Sequence, residues 1–112
     1  TQLEQAFLNL TLNAVEAMPE GGRLGIRSRA LPLRRRGPPT HVLVRFRDSG
    51  SGMTREQAQN AFSSLLQSSK PRGNGLGMAI VARVVEIHRG KARVRSRPGH
   101  GTTISLVFPI AR

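Results

Sequence analysis

Val42-Leu43-Val44-Arg45-Phe46-Arg47 runs directly into Asp48-Ser49-Gly50-Ser51-Gly52. In its first six residues Val42, Val44 and Phe46 alternate with Leu43, Arg45 and Arg47. A period of two sends alternate side chains to opposite faces of a strand. Three more runs alternate in the same way. Leu24, Ile26, Ser28 and Ala30 alternate with Gly25, Arg27 and Arg29 in 24–30, and Ala92, Val94 and Ser96 with Arg93, Arg95 and Arg97. After a Pro98-Gly99-His100-Gly101 turn, Ile104, Leu106 and Phe108 alternate with Thr103, Ser105 and Val107. In three of the four runs the second set holds arginines, so seven of them (27, 29, 45, 47, 93, 95 and 97) would share one wet face. A sheet with one face under helices and the other in water is expected. The fold class is then an α/β (α+β) two-layer sandwich. Its sheet is mixed and mostly antiparallel, with helices on one face and an Arg-rich solvent face.

The helices follow from the 3.6-residue period. Leu3, Phe7, Leu10, Ala14 and Met18 form an apolar stripe over 1–18, which Leu8, Leu12 and Val15 widen. Met18-Pro19-Glu20-Gly21-Gly22 ends this helix. Thr54-Arg55-Glu56-Gln57 has the form of a capping box opening a short helix. Residues 63–75 show no clear period and read as a mobile loop. Leu76 to Arg89 is a strongly apolar helix, with Gly90 where a left-handed cap is expected. Leu31 to Thr40 reads as a basic, Pro-rich hairpin loop.

The chain has 112 residues, enough for one domain with a real core. It opens on Thr in an already helical pattern, so a piece truncated at its N-terminus is expected. There is no Cys, which excludes disulfides and thiolate metal sites. No apolar run approaches the ~18–20 residues of a membrane span, and no signal-peptide pattern is present. A cytoplasmic location is the default, with any membrane anchor left to the parent protein. The net charge of +12 comes almost wholly from arginine, 16 of the 18 basic residues. Such a balance suits nucleic-acid binding, or a solvated face written in arginine. The placement of arginines on alternate strand positions accounts for much of it.

Four short stretches could carry chemistry. Asn9 and Asn13, spaced i, i+4, lie on one helix face with Glu16 a further turn along. Their amide oxygens are hard neutral ligands suited to Mg²⁺, although a solvated stripe would use the same residues. Asp48 is the only aspartate of the chain and is wrapped in glycines. Its carboxylate can accept from an exocyclic amine while Gly50 and Gly52 let the backbone close around a ring; an Asx turn would use the same types. Gly73-Asn74-Gly75-Leu76-Gly77 runs into an apolar helix. Free amides and the positive end of the helix dipole would meet there, a natural anion site. It is neither the dinucleotide fingerprint nor a Walker A loop. Gly99-His100-Gly101-Thr102-Thr103 reads singly as a hairpin turn, and His41, His88 and His100 show no metal-ligand spacing. His88, near a helix end, is most simply a packing or capping residue.

In order and spacing the four together resemble the ATP-binding catalytic domain of bacterial two-component sensor histidine kinases, in the Bergerat-fold family shared with gyrase, Hsp90 and MutL. The resemblance rests on Asn9-Leu10-Thr11-Leu12-Asn13-Ala14-Val15-Glu16-Ala17-Met18, Asp48-Ser49-Gly50-Ser51-Gly52-Met53 and Gly73-Asn74-Gly75-Leu76-Gly77. Val85 to Lys91 and Gly99 to Ile104 complete it, so that it covers essentially the whole chain. It implies that Asp48 receives the adenine amine, that Asn13 binds Mg²⁺ with Asn9 assisting, and that Thr102 reaches the base through water. It further implies that Gly50 and Gly52 shape the adenine pocket. Lys70, Arg72, Gly73, Gly75, Leu76 and Gly77 would belong to, or hinge, an ATP lid over about residues 60–76. The cofactors implied are ATP and Mg²⁺. The partners implied are the dimerisation and phosphoacceptor domain of the same kinase and, indirectly, a response regulator. No nucleic acid is expected, and this piece is expected to be monomeric.

Hydrolysing relatives place a glutamate base one turn before the Mg-binding asparagine. Asn9 stands there instead, so γ-phosphoryl transfer to a protein histidine is favoured over hydrolysis. None of the three histidines stands in a phosphoacceptor context, so the chain is not expected to autophosphorylate alone. Leu65-Leu66-Gln67 replaces the aromatic pair and Pro of many relatives before the lid. Alternatives are an ATPase or an anti-sigma serine kinase of the same fold, and a basic nucleic-acid-binding module. Against the last, the arginine face lacks interleaved aromatics.

Overall fold

Four strands pair in the order β1-β2-β4-β3, with β1 at Leu24–Pro32, β2 at Pro39–Asp48, β3 at Lys91–Ser96 and β4 at Thr102–Pro109. The computed structural model describes residues 1–32, 34–66 and 76–110, except for the side chains of 62–66 and 76–77. All three strand pairings are antiparallel. β1 and β2 extend further than their alternation suggests, into Pro32 and from Pro39. The hairpin loop is correspondingly shorter, because Pro32 lies on the edge strand β1 and Pro39 is the first residue of β2, before its pairing with β4 begins, positions where a strand tolerates proline.

The register sorts the two faces. Ile26, Phe46, Ile104 and Val94 stand in one cross-strand row, and Ser28, Val44, Leu106 and Ala92 in the next. These point to the helix side. The opposite face carries Arg27 beside Arg45, and Arg93 and Arg95 across from Ser105 and Thr103. All seven arginines of the wet set are exposed.

Three helices lie on the other face: α1 at Gln2–Glu16, α2 at Arg55–Leu66 and α3 at Leu76–Ile87. α3 packs between α1 and α2. Its Val81, with Leu10 of α1 and Leu106 of β4, forms the fully buried centre of the core. Phe7 lies tilted against Phe46 at 5.6 Å between ring centroids. Burial of such side chains contributes roughly 1.5–3 kcal/mol each. Leu8, Leu12 and Val15, expected to widen the buried stripe of α1, are instead 56%, 49% and 53% exposed. The inward side of α1 is already filled by Ala6, Leu10 and Ala14.

The helices too differ from the sequence expectation at their ends, α1 stopping at Glu16 rather than at Met18. α2 continues through 63–66, and the rest of the expected loop, 67–75, lies outside the described residues. Its start is as expected: Gln57 N–H donates to Thr54 Oγ1 and Thr54 N–H to Gln57 Oε1. At the end of α3 the left-handed residue is Arg89, at φ 56°, not Gly90. Gly90 N–H reaches the Val85 carbonyl and Arg89 N–H the Glu86 carbonyl, a Schellman pair. Gly90 has a different reason to be glycine: a Cβ there would lie 2.7 Å from the Phe108 ring. His88 caps and packs, with Nδ1 donating to the Val84 carbonyl at 3.0 Å and its ring edge-on to Phe108.

Candidate functional site

Asp48 ends β2 and is half-buried. Its cross-strand neighbours are Leu24 and Thr102, and Thr102 in turn faces Ser96. Leu24, Asp48, Thr102 and Ser96 therefore form one row on the helix side, at the end of the sheet. Asp48 Oδ1 accepts from the Gly50 N–H at 2.9 Å. The turn and the site are not exclusive, because the turn uses one carboxylate oxygen. Oδ2 makes no hydrogen bond among the described residues.

The glycine loop after Asp48 is held on two sides by backbone. Ser51 N–H donates to the Ala17 carbonyl just past α1, and Gly99 N–H to the Ser51 carbonyl. A Cβ on Gly50 would lie 2.6 Å from the Ala17 oxygen. Gly52 and Gly101 have φ of 70° and 77°, and a Cβ on either would overlap the Arg97 or the Asp48 carbonyl respectively. Only glycine combines that left-handed backbone with so close an approach. Ser96 ties the same parts through its side chain. Its Oγ lies 2.8 Å from the Met53 N–H, 2.9 Å from the Gly101 carbonyl and 2.7 Å from Thr102 Oγ1.

A second cluster lies where α1 meets the start of α3. Asn13 Nδ2 donates to Met78 Sδ at 3.1 Å. Asn9 Nδ2 is buried and has no partner among the described residues. A buried amide donor left unsatisfied costs about 1–3 kcal/mol, so a protein keeps one where a ligand satisfies it. Leu76 and Gly77 open α3, whose first-turn N–H groups have no partner within the helix and stand at the positive end of its dipole. α1 connects the two clusters: Asn13 is one turn before Ala17, which meets the glycine loop.

Asp48, Gly50, Gly52 and Thr102 are thus brought together, and Asn13, one turn after Asn9 on α1, meets the helix that Leu76 and Gly77 begin. Lys70, Arg72, Gly73 and Gly75 lie outside the described residues, as does most of the expected lid. Sequence reasoning missed Met78 and Ser96. The signal for Ser96 was a hydroxyl at an inward strand position in line with Ala92 and Val94. Met78 follows the last glycine of the cluster directly, but nothing local tells that its sulfur meets an asparagine 65 residues away.

On the opposite face a groove runs along β4, floored by Thr103 and Ser105 and walled by Arg45, Arg47, Arg93 and Arg95. Arg45 Nε donates to Ser105 Oγ at 3.3 Å. None of these arginines pairs with a carboxylate among the described residues. No cluster of three His, Cys, Asp or Glu suited to a metal occurs among them either, and no helix is long and apolar enough to cross a membrane.

Known proteins share this fold. Sporulation kinase E of Bacillus subtilis is 34% identical over 109 residues, covering 97% of this chain and 14% of that protein. The Mycobacterial sensor histidine kinase MprB superposes with a TM-score of 0.74 at 34% identity, over 96% of this chain and 70% of the other. The full-length ShkA structure in complex with AMPPNP superposes with a TM-score of 0.77 at 27% identity, over 98% of this chain and 22% of that one. The chain thus spans about a seventh to a quarter of the length of the curated relatives it matches. The sequence pattern of one ATPase family runs from residue 1 to 112, through both asparagines, the Asp48 loop and the Thr102 hairpin, and the chain belongs to that family, the histidine kinase-, DNA gyrase B-, and HSP90-like ATPases.

Proposed function

We propose that this chain binds Mg-ATP as the catalytic domain of a sensor histidine kinase, and presents the γ-phosphoryl to a histidine on a dimerisation and phosphoacceptor domain of the same kinase. The observation that carries the reading is Asn9, a buried amide donor with no partner among the described residues, one turn before Asn13. An orphaned N–H one helical turn from Asn13, which itself meets the first turn of α3, fits a phosphate oxygen. Asn13 spends its Nδ2 on Met78, which leaves its Oδ1 for a hard cation. The residues present therefore suit the nucleotide and its metal.

Asn13 would hold Mg²⁺ together with the phosphates, with Asn9 assisting, and the free Oδ2 of Asp48 would accept the 6-amino group of adenine. Bound Mg²⁺ supplies charge neutralisation on the phosphate oxygens. Thr102 would meet the base through water. Gly50 and Gly52 would close on the ring, and Lys70, Arg72, Gly73, Gly75, Leu76 and Gly77 would form the lid and its hinge. A carboxamide cannot take a proton from water, so Asn9 does not serve as a general base. Transfer to a protein side chain is then favoured over hydrolysis. The kinase names of the relatives and the AMPPNP in the ShkA complex support the same reading.

Isothermal titration with a non-hydrolysable ATP analogue tests it. The parent should bind only with Mg²⁺ present, and Asp48→Asn should lose at least ~1.5–3 kcal/mol of binding free energy, the range for a hydrogen bond to a charged group. Equal binding by the variant, or none by the parent, would discard the assignment. The chain alone should release no burst of free phosphate from ATP; such a burst would favour the hydrolase alternative.

A further inference from the structure

Ser96 stands one strand removed from Asp48, with Thr102 between them. Its hydroxyl has three neighbours, and their chemistry fixes where each proton lies. Met53 N–H can only donate, so it occupies one lone pair of Ser96 Oγ. The Gly101 carbonyl can only accept, so it takes the single Ser96 proton. The remaining contact, 2.7 Å to Thr102 Oγ1, is then a hydrogen bond only if Thr102 donates to the second lone pair of Ser96. This order satisfies every group in the cluster, as buried polar groups require. It also leaves Thr102 without a proton to offer. Thr102, paired across the ladder with Asp48, then has only lone pairs left to offer, and Asp48 keeps the oxygen that the Gly50 N–H leaves free.

We infer that Ser96 is a positioning residue for base selection: by accepting the Thr102 O–H hydrogen bond it makes Thr102 and Asp48 an acceptor-only pair, and so favours 6-aminopurine over 6-oxopurine nucleotides. The inference rests on the nucleotide reading above and adds to it the group that sets the polarity of the pocket. An acceptor pair welcomes an exocyclic amine or a water that donates in both directions. It meets the carbonyl of a 6-oxopurine with lone pair against lone pair. Without the Ser96 hydroxyl, Thr102 is free to rotate and donate, and the discrimination weakens.

Affinities of Mg-loaded, non-hydrolysable ATP and GTP analogues for the parent, Ser96→Ala, Thr102→Val and the double variant decide the matter. The parent should prefer the ATP analogue. Ser96→Ala should lower the ATP:GTP affinity ratio about tenfold, as the loss of a hydrogen-bond match predicts. In the Thr102→Val background the same substitution should move the ratio less than twofold, because Ser96 acts through Thr102. Ser96→Thr, which keeps the hydroxyl, should retain the parent ratio. A purely structural brace between Met53 and Gly101 would weaken both nucleotides equally in Ser96→Ala; that result, or equal effects in both backgrounds, overturns the inference. A parent that binds neither nucleotide removes the underlying reading and the Ser96 role with it. A parent that prefers ATP with an unmoved ratio in Ser96→Ala removes only the latter.

Discussion

On the helix side of the sheet Asp48, Thr102 and Ser96 stand side by side across three strands; one residue away, on the opposite side, Arg47, Thr103 and Arg95 do the same. Strand order, spacing and twist are common to both rows, so the contrast between them is entirely one of side chains and what covers them. The inner row is fixed by hydrogen bonds and by backbone packed against backbone at Gly52 and Gly101. The outer row holds exposed like charges, with Arg27 directly across from Arg45 one step further along. Directional contacts in a half-buried setting specify residue identity. A solvated charge on an open face specifies little beyond polarity.

Substitutions on the two sides can break or sharpen this contrast. The largest effect should come from Gly101→Ala, which puts a Cβ into the Asp48 carbonyl at a φ of 77°. Strain and overlap together should cost roughly 3–5 kcal/mol of stability in denaturant unfolding. A loss under 1 kcal/mol would mean that the inner row is no more demanding than the outer. Next is Asn9→Leu. It removes an orphaned buried amide, so the chain without nucleotide should gain about 1 kcal/mol while Mg-ATP affinity falls. Lower stability together with unchanged affinity would count against a ligand-facing Asn9. Smallest is Arg27→Thr on the outer face. Relief of its opposition to Arg45 should stabilise by a few tenths of a kcal/mol (about 0.3–0.5) at low salt, fading near 1 M salt as screening shortens. A destabilisation above 1 kcal/mol would show that the arginine face has a structural duty.

Much of this was legible in the sequence because strand alternation is local. Leu24 to Ala30, Val42 to Arg47 and Ala92 to Arg97 declare their faces without reference to one another, and the register then carries Asp48 to Thr102. Elements whose reason lies elsewhere in the chain were harder to read. Gly90 is glycine because Phe108, eighteen positions on in β4, leaves no room for a side chain, while Arg89 takes the left-handed turn. α2 runs on into 63–66, a Ser- and Leu-containing stretch with no clear period of its own. Ser96 looked like the last residue of a pattern, and its importance appears only when Met53, Gly101 and Thr102 close around it. The exposure of Leu8, Leu12 and Val15 follows from how much of α1 the sheet and α3 can cover, a quantity no single helix contains.

The clasp between the glycine loop and the β3–β4 turn has a consequence for how the chain can be lengthened. With Gly99 N–H on the Ser51 carbonyl, and both Gly52 and Gly101 in contact with carbonyls opposite, the turn from Arg97 to Gly101 has no slack. An extra residue there would displace Asp48 itself. The β1–β2 connection is different: Arg34, Arg35 and Arg36 are exposed, and Gly37 N–H donates to the Arg34 carbonyl, a local backbone hydrogen bond within that turn. An epitope tag, a fluorophore-bearing segment or a natural insertion belongs at 34–37, where the sheet can accommodate a visitor without the Asp48 loop registering its arrival.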